Sequence, residues 1–179
     1  MVRFARKDEL EKVNEMRKQV NDVHVSGRPD IFKAGFCDEL KNFIYDIWNA
    51  ENRDLIVAQR DGVICGFASC VYAYIPENHF MNARKIYEVE EFYVDEKFRR
   101  QGVGTEIMDF IRQSAKNRGA DRIELDMWEF NDGALAFYEA VGFKTYRRYM
   151  ELLLSHRNNY NNIMPKSLDR STDYVFIAF

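Results

Sequence analysis

Residues 99–105, RRQGVGT, set two arginines ahead of two glycines spaced one residue apart, directly before a stretch with helical apolar spacing. Glycine lets a backbone approach a ligand closely and adopt dihedrals that cost other residues energy. The first amides of a helix lack intrahelical acceptors and carry the positive end of its dipole. Such a junction suits a phosphate or pyrophosphate, and Arg99 and Arg100 add charge. Two better-known glycine motifs do not fit. A dinucleotide fingerprint would need glycine at position 107, which is Ile107, and a P-loop would need Lys-Ser/Thr where Thr105-Glu106 stand.

A second group with chemical capacity is the acidic stretch YEVEEFYV at 87–94. Strand alternation puts Glu88 and Glu90 on one face and Glu91 on the other. In a cleft, such a carboxylate can act as a general base. On an open face it is a solvated acid or a partner for Arg84 or Lys85. The third group is NDGALAFYEAVGF at 131–143, where Asn131 begins a short helix and Tyr138 offers a phenol with a reference pKa of about 10, able to donate a proton at neutral pH. The loop NDVHVSGRPDIFK adds His24 and Arg28. His24 is a candidate second base, and Arg28 a candidate partner for a carboxylate. Tyr72 and Tyr74 are candidates to line a pocket, although their two-residue spacing also suits plain sheet packing.

Hydrophobic periodicity supplies the elements that must carry these groups. Residues 2–5 alternate briefly as a strand. Leu10, Val13, Met16, Val20 and Val23 share one helical face, and Gly27, Pro29 and Gly35 then break the pattern. Leu40, Phe43, Ile44 and Ile47 mark a second helix. DLIVAQ and VICGFASCVYAYI are strands joined by RDG, a tight-hairpin turn. KIYEVEEFYV is a strand, GVGTEIMDFIRQSAKNRG a helix stopping at Gly119, RIELDMW a strand, and NDGALAFYEAVG a helix ending at Gly142. FKTYRRYMELLL closes with one or two strands. The order β-α-α-β-β-β-α-β-α-β-β implies a mixed α/β layer around one sheet.

Arg99, Gly102 and Gly104 after a strand ending FYV, followed by a helix, a strand and N-x-x-A-x-x-F-Y-x-x-x-G-F, resemble the GCN5-related N-acetyltransferase (GNAT) superfamily over residues 2 to about 154. The resemblance implies a mostly antiparallel central sheet with helices on both faces and acetyl-CoA or a close acyl-CoA as donor. It implies that the amides of Gln101, Gly102, Val103, Gly104 and Thr105 cradle the pyrophosphate. Arg99 and Arg100 fill the basic start of the motif. Phe92, Tyr93 and Val94 offer backbone groups to the pantetheine arm where neighbouring strands splay, and Asn131 hydrogen-bonds the cofactor. Tyr138 takes the family's position near the thioester sulfur as general acid. Glu90 and Glu88 both match registers for a base, with Glu90, closer to the presumed thioester, the first candidate and Glu88 the second. The acceptor is an amine, small or carried on a peptide, and attack is direct.

Composition bounds the rest. The 179 residues are 46% hydrophobic and 31% charged, with a formal net charge of −3, which suits a globular domain and gives no basic field for nucleic acid. Three cysteines without a CxxC pair predict a reducing cytoplasm rather than a disulfide framework, and His24, His79 and His156 are too scattered in sequence to suggest a metal site. The N-terminus lacks an apolar h-region, and no apolar run reaches the roughly 20 residues of a membrane span. The expected organisation is an acyltransferase domain over 1–154 and an extension over 155–179. The extension is an Asn- and Ser-rich linker ending in YVFIAF, a strand for its own sheet or for a partner's, so a homodimer is one expected outcome.

Overall fold

A computed structural model describes residues 1–154 of the chain. The extension 155–179, with its YVFIAF segment, lies outside the described residues. Five strands, β1 (Val2–Phe4), β2 (Arg53–Arg60), β3 (Val63–Ile75), β4 (Arg84–Val94) and β5 (Arg122–Glu124), form one sheet in sequence order. Strands β1 to β4 pair antiparallel, and β5 joins β4 parallel. A parallel neighbour requires a crossover, which helix α3 (Val103–Asn117) supplies. The remaining helices are α1 (Leu10–Gly27), α2 (Asp38–Asn49) and α4 (Asp132–Ala140).

The run Leu55-Ile56-Val57-Ala58 shows why both faces are covered. Leu55 and Val57 pack with Leu10, Val13, Met16, Ile44 and Ile47 of α1 and α2, while Ile56 and Ala58 pack with Val103, Ile107, Met108 and Ile111 of α3. A strand without polar alternation is one buried on both sides. Phe137 and Tyr138 of α4 close over the α3 face. The RDG turn has Asp61 and Gly62 both at positive φ (48° and 81°), as a tight primed hairpin requires.

Three expectations are corrected. Helix α1 ends at Gly27, at the predicted break, but its Val23 is exposed, while Asn14 and Arg17 hold buried positions on the helix. Strand β5 is only three residues long, because residues 125–128 leave the sheet. The closing strand or strands read over 143–154 are not formed; those residues carry no helix or strand, and Tyr149, Met150, Leu152, Leu153 and Leu154 are exposed. A strand needs a neighbour along its length, and β5 offers three residues of edge. The segment is tied instead by side chains, with the Tyr146 hydroxyl donating to Glu124 (2.8 Å) and Glu151 pairing with Arg28 (2.8 Å).

Candidate active site

The site begins where two strands part. Ile86, Tyr87 and Glu88 of β4 face Arg122, Ile123 and Glu124 of β5, and there the pairing ends. Beyond it, β4 continues for residues 89–94 with no strand on that side among the described residues. Alternate N–H and C=O groups on such an edge lack a ladder partner, so the wedge is lined by backbone that can bind an extended polar ligand. Its far bank is α4: the Phe92 ring lies 5.3 Å from Phe137 and 6.1 Å from Tyr138. Phe92, Tyr93 and Val94 form the outer end of this edge, next to the turn into α3. There β3 closes so tightly that a Cβ on Gly66 would lie 2.8 Å from the Tyr93 carbonyl oxygen.

The RRQGVG junction sits at the mouth of the wedge, between β4 and α3. Arg100 (φ 61°) and Gly102 (φ 81°) both take left-handed conformations, which turn the chain sharply into α3. Gly102 occupies the N-cap position of α3 without a side-chain cap. The first bond of the helix runs from Glu106 N to Gly102 O (3.0 Å), so the amides of Val103, Gly104 and Thr105 have no intrahelical acceptor. The two glycines serve different needs. Nothing crowds a Cβ at Gly102, so backbone conformation demands glycine there; a Cβ at Gly104 would lie 3.1 Å from the Phe137 ring, so close helix packing demands it there. Arg99 folds back onto its own strand, donating to Val94 O (3.0 Å) and lying over the Tyr93 ring (5.9 Å). Gln101 donates to Lys97 O (2.8 Å). Arg100 is exposed and makes no ion pair among the described residues, so it is the free cation of the pair.

The three glutamates of β4 depart from strict alternation. Ser69 faces Glu91 and Cys70 faces Val89, leaving Glu90 unopposed in a β-bulge. The extra residue brings all three carboxylates to the α1/α2 face, correcting the expectation that Glu91 points away from Glu88 and Glu90. Glu91 is buried and accepts from Arg17 Nε at 3.0 and 2.9 Å. Glu90 pairs with Arg53 and accepts from the Ser69 hydroxyl (3.3 Å). Burial is the main cause that raises the Glu90 carboxyl, against the lowering effect of Arg53. Glu88 has no ion-pair partner among the described residues. Partial loss of water raises its carboxyl first, and the charges of Glu90, Asp126 and Glu124 add to that.

Tyr138 projects from α4 into an aromatic setting, 6.1 Å from Phe92 and 5.7 Å from Phe143 by ring centroids. Its hydroxyl makes no hydrogen bond among the described residues. Burial, with a smaller contribution from Cys70, pushes its pKa up to about 12, so it holds its proton at neutral pH. Asn131 caps α4 by accepting from Ala134 N (3.1 Å), which leaves its side-chain amide nitrogen as the group available to a ligand.

Comparison with known proteins identifies the family. The family model described as "Acetyltransferase (GNAT) family" matches residues 19–143. The chain belongs to this acetyltransferase family. An uncharacterized N-acetyltransferase of Methanocaldococcus jannaschii is 33% identical over 88 residues, which is 49% of this chain and 38% of that protein. The chain spans less than half the length of the first curated relatives it matches. Among solved structures, a mutant of the BH1408 protein of Bacillus halodurans is 29% identical with a TM-score of 0.83, covering 87% of this chain and 99% of that one. The aminoglycoside N-acetyltransferase AAC(6')-Iy in complex with CoA is 21% identical with a TM-score of 0.70, over 86% of this chain and 93% of that one, and so shares the fold.

In this GNAT-family domain a second cluster is built by the end of α1 and by residues 124–130. His24 stacks on Phe32 (5.0 Å), Phe32 meets Trp128 edge-on (5.2 Å), and Trp128 stacks on Phe130 (6.2 Å). A Cβ on Gly27 would fall 2.3 Å from the Phe130 ring, so the end of α1 seats that ring directly. Burial lowers the His24 pKa, while Asp126 opposes. Asp126 is itself raised by burial. Asp126 and Trp128 were not singled out from the sequence; the available signal was the aromatic pair of MWEF just past a strand. Arg28 is committed to Asp30 (2.7 Å) and Glu151 (2.8 Å) and lies over Trp128 (5.6 Å). Tyr72 packs on the α3 face and Tyr74, two residues on, is exposed, so neither joins His24 and the β4 carboxylates. Among the described residues, no group of three or more potential ligands is placed to hold a metal, and no helix is long and apolar enough to cross a membrane.

Proposed function

We propose that this chain transfers the acetyl group of acetyl-CoA to a primary amine by direct attack. The observation that carries the proposal is the junction of the open β4 edge with the uncapped N-terminus of α3. One offers backbone groups to an extended pantetheine arm, and the other offers free amides and Arg100 to a pyrophosphate. Arg99 supports the turn through Val94 O, and Asn131 adds its side-chain amide.

In the proposed step the amine nitrogen attacks the thioester carbonyl carbon, the C–S bond breaks, and an amide and free CoA result. Backbone N–H groups on the free edge of β4 polarise the carbonyl. Tyr138, protonated at working pH, donates to the departing thiolate. Glu88 makes no ion pair among the described residues, whereas Glu90 is held by Arg53, so we take Glu88 as the first candidate for the ammonium proton, directly or through water, and Glu90 as the second, the reverse of the order expected from the sequence. A small-molecule amine is the acceptor we favour. The Arg28–Glu151 pair draws the loop after α1 towards the 143–154 segment, which narrows that bank for a peptide. Protein N-terminal or lysine acetylation is the alternative within the same chemistry. The three unpaired thiols suit a cytoplasmic setting. Residues 1–154 form the catalytic domain in this reading, with 155–179 as its extension and a candidate homodimer contact.

The test is CoA release from acetyl-CoA across a panel of small amines and peptides, for the wild type and for Tyr138→Phe, Glu88→Gln and Glu90→Gln. Release with at least one amine, reduced in Tyr138→Phe, is expected. Tight acetyl-CoA binding without release for any amine would instead mark a non-catalytic acetyl-CoA-binding module.

A further inference from the structure

We infer that Arg17 is a positioning residue, acting through Glu91 to hold the β4 bulge that aims Glu90 and shapes the open edge of the wedge. The inference rests on the reading of that wedge as the donor site. A bulge forfeits a ladder position and increases local twist, so it persists where the surrounding structure fixes it. Here the fixing group is a buried ion pair between residues 74 apart in sequence, with side chains 2% and 7% exposed. Arg17 Nε reaches both Glu91 oxygens, at 3.0 and 2.9 Å. Its Nη1 donates to Asn14 Oδ1 (3.1 Å) and to Leu40 O (2.7 Å) in the first turn of α2. Asn14 in turn donates to Lys41 O (3.1 Å). The guanidinium also lies 5.7 Å from the Phe36 ring and 5.9 Å from the Phe43 ring.

One guanidinium thus joins α1, α2 and β4 at a single point. Replacing a buried ion pair by apolar side chains often leaves stability unchanged or improved, so stability alone is a weak reason for its presence. Its geometry supplies a stronger one. With Glu91 pinned inward to Arg17, the unopposed residue is Glu90, which emerges beside Arg53 and Ser69 on the face that carries Glu88. Phe92, Tyr93 and Val94 follow directly. A slip of the bulge by one residue would exchange the faces of the side chains between the old and new positions.

Two variants test this. Arg17→Met with Glu91→Leu removes both charges together; Arg17→Lys keeps the charge but loses the fork of donors. Each is measured for acetyl-CoA binding, for kcat and KM, and for amide hydrogen exchange along residues 88–94. We expect acetyl-CoA affinity to weaken by no more than about 10-fold in both, because the β4 edge that takes the pantetheine arm loosens while the pyrophosphate cradle on α3 is kept. We expect kcat to fall about 10-fold to 100-fold with acceptor KM little changed, as for a catalytic group displaced by about an ångström. Exchange in residues 88–94 should quicken at least about 10-fold, more than in β2. A folded double variant with wild-type kcat and exchange would overturn the inference, and so would Arg17→Lys with both unchanged if the double variant fails to fold. A wild type that binds no acetyl-CoA would overturn the donor-site reading instead, while the exchange measurement would still decide whether the pair holds β4.

Discussion

The two banks of the wedge are built on opposite plans. The donor bank is backbone drawn from one continuous stretch: the end of β4, a sharp turn with two left-handed residues, and the uncapped start of α3. The proposed acceptor bank consists of side chains gathered from far apart, with His24 and Arg28 from the end of α1 and beyond, Arg53 from β2, Glu88 and Glu90 from β4, and Asp126 and Trp128 from beyond β5. A ligand held by backbone can be common to many sequences, because any residue supplies an amide. A ligand held by scattered side chains changes with each substitution. The contrast shows why a donor can be inferred from a short motif and an acceptor cannot.

Breaking each bank separately sharpens the contrast. The largest effect is expected at their meeting point: Tyr138→Phe should lower kcat about 100-fold or more while acetyl-CoA affinity is retained, as steady-state kinetics and calorimetry would show. Gly102→Asp should weaken acetyl-CoA binding about 100-fold, because it adds a negative charge and a Cβ at φ 81° beside the free amides. Circular dichroism should show the fold intact. Glu88→Gln should cost about 10-fold in kcat/KM and leave donor affinity unchanged. The pH profile supplies the sign. Because the Glu88 and Glu90 carboxyls titrate above the ordinary carboxylate range, the rate should fall as pH drops through that raised value, and Glu88→Gln should flatten the acid limb. Tyr138 keeps its proton until about pH 12, so its ionisation should impose no alkaline limb near neutrality. The smallest effect belongs to Arg28→Gln, which should raise acceptor KM roughly 3-fold at low salt and less at high salt, since exposed ion pairs are screened. If Gly102→Asp changed acceptor choice, or Arg28→Gln changed donor affinity, the two-bank description would fail.

Legibility in the sequence follows the same division. The RDG hairpin, the glycine stops at 119 and 142, the helix start at Asn131 and the strand-to-helix junction at 99–105 are local, each set by the conformational needs of a few neighbouring residues, and each is found where expected. The bulge at Glu90 could not be read from YEVEEFYV, because alternation carries no record of which partner residue is skipped across the ladder. The apolar periodicity of α1 was legible at Leu10, Val13 and Met16. The same count gave no warning that Arg17 is buried, since a charged residue goes inside only when a distant carboxylate waits for it. Strand β5 reads longer than it is for a related reason. Residues 125–128 look extended and apolar, but strand assignment needs a neighbour, and β4 has already diverged.

That divergence also has a thermodynamic side. Among the described residues the sheet has an unfinished seam along 89–94, and an extended ligand laid in it would act as a temporary extra strand, trading its own conformational freedom for the ladder bonds that β5 does not make. On the proposed reading the donor would partly complete the fold: occupancy should raise the melting temperature in step with ligand concentration, and the same seam is the place where an extended segment of an unrelated chain would first find a matching edge.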